Sequence, residues 1–349
     1  MRTGIITSFL EVFTIAFLAG VFLIPVNIWL VRRGALGQMV REDGPEGHRR
    51  KAGTPTMGGV GIFAAMILAL FLYRGDFFQH RFVTYYSSYI PVIMAFAAFC
   101  FLLGFADDLL KFFRRGTLGI KARYRVILQV FAGVCLCALI QGNIFGYPFK
   151  SRFAMFEPTL IWTPFGTGGW MLGGLFLLFG VLVFVGTLNA VNFTDGLDGL
   201  LAGCFLIAGG AYTIFIYRYG DWSLLPVLAA AMGAVVAFLW FNTHPAKIFM
   251  GDSGSLLLGG ILASVALVSR SALFLFVVGF VFVMEALSVM VQVISYRLTG
   301  RRVFKMSPIH HHFELSGWAE PQVVVRFWIL SGIFALLGIL MFCLPVKYF

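Results

Sequence analysis

Long apolar runs follow one another along almost the whole chain, separated by short polar segments. Ten of them are candidates for a membrane-crossing helix of roughly 17 to 25 residues, the run at 255–269 being shorter. They lie at 9–31, 57–73, 89–105, 124–141, 170–190, 197–217, 223–241, 255–269, 272–295 and 325–345. The pattern predicts an all-α polytopic membrane protein of about ten transmembrane helices, forming a single integral-membrane domain over 1–349. The first run is as long as a full span and is followed by Arg32 and Arg33, so it reads as a retained helix rather than a cleavable signal. Segment 142–168 carries Gly146-Tyr147-Pro148, Glu157-Pro158 and Thr163-Pro164, which predicts turns and a short hairpin outside the membrane.

The polar positions between the runs are not scattered. Five of the eight aspartates fall in three short blocks: Asp107-Asp108, Asp195 with Asp198, and Asp252. A carboxylate beside hydrocarbon is costly to keep ionised and needs a cation, a hydrogen-bond network or water. Several at one depth point to a site that holds a metal ion or handles charge.

Composition supports the membrane reading: 60% of residues are hydrophobic and only 12% are charged. The basic residues set an orientation. Eighteen of the 26 Lys and Arg fall on the side that carries Arg32, Lys51, Lys111, Lys247 and Arg301, so that side is expected to be cytoplasmic, with both termini periplasmic. All three aspartate blocks then share the cytoplasmic face. The net charge of +11 reports topology and attraction to anionic lipid headgroups of the bilayer, not nucleic acid. The five cysteines lie in apolar stretches and suggest neither a disulfide framework nor a metal site.

Adjacent carboxylates at Asp107 and Asp108 raise one another's pKa unless a cation lies between them. Lys111 is within a helical turn of both, and Mg²⁺ is the other remedy, since it needs only one or two carboxylates plus phosphates and water. Asp195 and Asp198 share a face if the sixth helix starts there; simple capping of that helix is the plainer alternative, with Asn189, Asn192 and Thr194 close by. Met250-Gly251-Asp252-Ser253-Gly254-Ser255 opens the eighth run, where small residues would let a phosphate approach backbone N–H groups. Gly-Asp-Ser-Gly also occurs in trypsin-like proteases, but no β-barrel pattern accompanies it here. Lys51-Ala-Gly-Thr-Pro-Thr-Met-Gly-Gly could bind an anion, though a loop entering a membrane helix has similar composition. Three consecutive histidines, His310, His311 and His312, cannot all face one ion from a helix, which argues against zinc and for hydrogen bonding to substrate. Glu285 lies in mid-helix and receives no role.

Taken together, the blocks resemble the polyprenyl-phosphate N-acetylhexosamine-1-phosphate transferase superfamily over essentially the whole chain. The Lys51 and His310 blocks make the chain most similar to the branch that uses UDP-N-acetylmuramoyl-pentapeptide. The resemblance implies that a phosphate oxygen of undecaprenyl phosphate attacks the sugar-linked phosphorus of that donor, releasing UMP, with Mg²⁺ as cofactor. It implies Asp107 orienting or deprotonating the lipid phosphate, Asp108 supporting the ion and Asp252 as the preferred Mg²⁺ ligand. Lys51, Lys111, Lys121 and Arg123 are the implied phosphate-side cations. Asp195, Asp198, Asn242 and Phe249 would line the uridine and diphosphate pocket, Asn192 and Thr56 would be polar site residues, and His311 and His312 would touch substrate. Members are commonly homodimers, although no interface pattern is readable here. The nearest rival is a sister transferase using UDP-N-acetylglucosamine. A cation-coupled transporter is the rival from another class, against which the carboxylates collect at one face rather than at the midplane.

Overall fold

The computed structural model describes residues 2–33, 53–73, 89–114, 119–141, 169–219 and 222–343, and the elements among them are all helices. In chain order they are α1 (Arg2–Arg33), α2 (Gly58–Leu72), α3 (Tyr89–Phe113), α4 (Ala122–Gln141), α5 (Gly169–Thr194) and α6 (Leu200–Tyr219). A short 3-10 turn, Trp222–Leu224, leads into α7 (Leu225–Asn242). Then come α8 (Gly251–Val268), α9 (Ala272–Val278), α10 (Phe280–Thr299), α11 (Ile309–Glu314) and α12 (Glu320–Cys343). Segment 142–168 and Lys51 lie outside the described residues.

Nine of these helices, among the described residues, are long and apolar enough to cross a membrane. The predicted second span is α2, only 15 residues long. At 1.5 Å per residue it reaches about 22 Å, short of a ~30 Å hydrocarbon core. The run at 272–295 was expected as one span, and the structure corrects it. The chain leaves helical geometry at Gly279 (φ −93°, ψ 21°), which separates the short α9 from α10.

The helices differ sharply in burial. In α8, 89% of the span is inside the protein, against 72% for α7 with its leading turn, 67% for α6, and 22–33% for the other six. The outer helices turn large apolar side chains outward, such as Phe22, Phe131, Leu298 and Leu336. In a chain this apolar, such faces suit lipid. At the centre, α8 packs against α3, α5 and α2. Its glycines allow the close approach: Gly259 lies on the Leu188 backbone of α5, and Gly260 on Cys100 of α3. The N-terminus of this innermost helix, where Asp252 lies, is thereby surrounded by the ends of three others.

Candidate functional site

The first aspartate block does not end a helix, as the hydropathy pattern predicts; α3 continues through Phe113, so Asp107 and Asp108 lie on helical backbone and are buried. Hydropathy stops at the first charge, whereas the backbone continues because these charges have partners. Gly104, one turn earlier, faces the Asp252 backbone so closely that a Cβ there would overlap its carbonyl. That contact delivers Asp108 to the start of α8. Its Oδ1 accepts the Asp252 N–H at 3.0 Å and its Oδ2 the Ser253 N–H at 2.9 Å. Asp195 accepts the Gly251 N–H. The helix start expected to receive a substrate phosphate therefore already has three N–H groups directed at the protein's own carboxylates. Gly251, at φ +73°, makes the required left-handed entry into α8.

Lys111 joins the other two carboxylates. Its Nζ is 2.7 Å from Asp107 Oδ2 and 2.5 Å from Asp252 Oδ2. Asp107 Oδ1 accepts the Ile120 N–H at 2.6 Å, and Asn192 Nδ2 donates to Asp252 Oδ1 at 2.6 Å and to Ser255 Oγ at 2.8 Å. The second cation is Arg125, whose Nη1 is 3.6 Å from Asp252 Oδ2, with its Nε buried and unpartnered. Lys121 and Arg123, the cations implied by resemblance, are exposed, and Arg123 lies over the ring of Tyr124. Sequence reasoning missed Arg125 because three basic residues alternate here. The signal that finds it is Gln129, a buried polar residue four positions on and therefore on the same face of α4.

Asp195 and Asp198 do not share a helix face: α6 starts only at Leu200, and Gly199 at φ +79° completes a turn. Asp195 points to the α8 start. Burial, then the charges of Asp252, Asp108 and Asp198, push its carboxyl up to about 8. Asp198 points elsewhere. Its Oδ2 is 3.0 Å from His244 Nδ1 and accepts the Ala246 N–H at 3.1 Å, while its own N–H donates to Glu320 Oε1 at 2.9 Å. Asn242 uses both ends of its amide on backbone, accepting from Gly199 N–H and donating to the Ile248 carbonyl. It ties the turn to the loop before α8.

That loop is stitched to the chain entering α2. Phe249 N–H donates to the Pro55 carbonyl, and Gly58 and Gly59 N–H donate to the Phe249 and Met250 carbonyls, all at 2.8–3.0 Å. The pairing sets Thr56 beside Gly251. Phe249 is half-buried. The histidines separate: His310 is fully buried against Glu285, His311 Nδ1 pairs with Glu314 at 2.7 Å, and His312 Nδ1 accepts the Lys305 N–H.

Two groupings could hold a cation. Among the described residues, Asp198, His244 and Glu320 place one ligand atom each within 4.8 Å of one another, although hydrogen bonds already join them. Among the described residues, Lys111 and Arg125 are the cations that approach the group of Asp107, Asp108, Asp195 and Asp252 around the α8 start. All the donors of this group are hard oxygens. That set fits a divalent ion such as Mg²⁺.

Comparison with known proteins matches the same segments. The family model described as glycosyl transferase family 4 matches residues 90–270, and phospho-N-acetylmuramoyl-pentapeptide-transferase signature 1 matches residues 51–63. The phospho-N-acetylmuramoyl-pentapeptide-transferase of Anoxybacillus flavithermus is 42% identical over 325 residues, 93% of this chain and 95% of its own. That of Shouchella clausii is 41% identical over 332 residues, 95% and 97% of the two chains.

Proposed function

The chain belongs to the phospho-N-acetylmuramoyl-pentapeptide-transferase family, and from that premise we propose how its α8 start carries out the transfer. The enzyme moves phospho-N-acetylmuramoyl-pentapeptide from its UDP-activated form to undecaprenyl phosphate, giving lipid I and UMP. It is an integral membrane protein. In our reading the membrane is the bacterial inner membrane, the site faces the cytoplasm and both termini are periplasmic, as the basic loops require.

A phosphate oxygen of the lipid attacks the sugar-linked phosphorus, the bond to the UMP oxygen breaks, and UMP leaves with the electron pair. Two anions must approach, so the residues' task is mainly positioning and charge balance. Asp107, held by Ile120 N–H and Lys111, orients the lipid phosphate and takes its proton where one is present. Lys111 and Arg125 oppose the charge of the diphosphate. Asp252 would hold Mg²⁺, which supplies charge neutralisation at the phosphates when bound. Asp108 contributes by fixing the Asp252 backbone rather than by presenting a free oxygen. Thr56, Asn192, Asp195 and Phe249 surround the same helix start and serve the donor, while Lys51, Asp198, His311 and His312 are assigned to it on resemblance.

The observation that carries this reading is the convergence of Asp107, Lys111 and Asp252, brought from two helices into one bridged group. Purified protein offered undecaprenyl phosphate, Mg²⁺ and either UDP-N-acetylmuramoyl-pentapeptide or UDP-N-acetylglucosamine should release UMP from the first donor only. Release from the second alone would sink the assignment.

A further inference from the structure

Glu285 and His310 form a pair for which the transfer mechanism has no task. Both side chains are fully buried. Glu285 Oε1 is 3.0 Å from His310 Nδ1, and Oε2 accepts the Ile309 N–H at 2.9 Å. With Oε2 held by the Ile309 N–H, the contact at Nδ1 fixes the orientation of the ring. The opposite nitrogen, His310 Nε2, is buried without a hydrogen-bond partner. It abuts Gly196 so closely that a Cβ there would overlap it. Gly196 follows Asp195, which holds the Gly251 N–H at the α8 start. A continuous line of contacts therefore runs from α10 through α11 and the 194–199 turn to the carboxylate cluster.

Packing alone does not account for this pair. Apolar side chains of similar volume would fill the space without burying two polar side chains and an orphaned nitrogen. We infer that Glu285 is a positioning residue of the transfer reaction, acting through the His310 ring to set the Asp195 turn against the start of α8. The inference rests on the transfer activity assigned above, so unmodified protein is assayed first; failure there would strike that activity and not this role.

Glu285→Leu should lower kcat at least tenfold, since a supporting group displaced by ~1 Å can cost ~10². KM for both substrates should stay within about twofold. Glu285→Gln, which keeps one acceptor, should recover part of the rate. The double variant Glu285→Leu/His310→Leu should turn over no more slowly than His310→Leu alone, because the two residues act in series. Thermal unfolding in detergent accompanies each variant. Multiplying losses in the double variant, wild-type kcat in Glu285→Leu, or a loss confined to KM would overturn the inference. If Glu285→Leu does not fold, the Glu285→Gln rate with and without His310→Leu decides in the same way.

Discussion

The protein has two acidic clusters near the same loops, and different partners oppose them. At the α8 start, Asp107, Asp108, Asp195 and Asp252 meet backbone N–H groups, an asparagine, one lysine and one arginine among the described residues. In the second, Asp198 and Glu320 meet His244 and two backbone N–H groups, and their hydrogen bonds form a clasp between the 194–199 turn, the loop after α7 and the start of α12. In our reading the first receives a cation and anionic substrates. The second is a joint. Acidic composition alone does not distinguish them; what opposes the acid does.

The contrast between the clusters is broken most severely by Asp252→Asn. Loss of the charge that faces Lys111 and Arg125 should reduce UMP release by roughly 10³-fold, the scale of removing a main electrostatic contact. The folded protein should remain in membranes. Turnover near that of the parent protein would remove Asp252 from the mechanism.

A second effect, intermediate in size, comes from Asp195. Its carboxyl titrates near 8 in the folded protein and near 3.8 in an unconstrained chain. The folded state thus keeps a proton that the unfolded state has released across that window. Its stabilising contribution is complete below about pH 4 and is lost as pH rises through 8. In the absence of divalent ions, the melting temperature should fall over this range. Asp195→Asn should flatten the slope, and Mg²⁺ should flatten it as well by opposing the neighbouring charges. A slope unchanged in Asp195→Asn would show that this carboxyl does not carry the pH dependence.

The smallest effect is expected at the joint. Glu320→Gln retains an acceptor for the Asp198 N–H and removes only the charge near His244. With one hydrogen bond worth ~1 kcal/mol, turnover should change by no more than about fivefold. A loss as large as that of Asp252→Asn would mean that both clusters are catalytic.

Much of this architecture is legible in the chain, because hydropathy reports helices that must satisfy their backbone groups internally. Asp252 at a helix start was readable from the small residues around it. The continuation of α3 past Asp107 was not, since the compensating N–H groups come from residues 252 and 253, far along the chain. The separation of Asp195 from Asp198 was hidden for a related reason: Gly196 and Gly199 allow a turn, but only packing against His310 and Asn242 makes it. Arg125 over Lys121 and Arg123 is a matter of helical phase, which is set by where α4 begins.

The three main-chain hydrogen bonds between residues 55–59 and 249–250 fix the register of the two segments residue by residue. Proline at Phe249, Gly58 or Gly59 would remove a donor, and a Cβ on Gly59 would overlap the Gly254 backbone. One residue inserted or deleted would slide Thr56 past the α8 start by about 3.3 Å, a whole step of extended chain. A change in the length of either segment would therefore take the site apart.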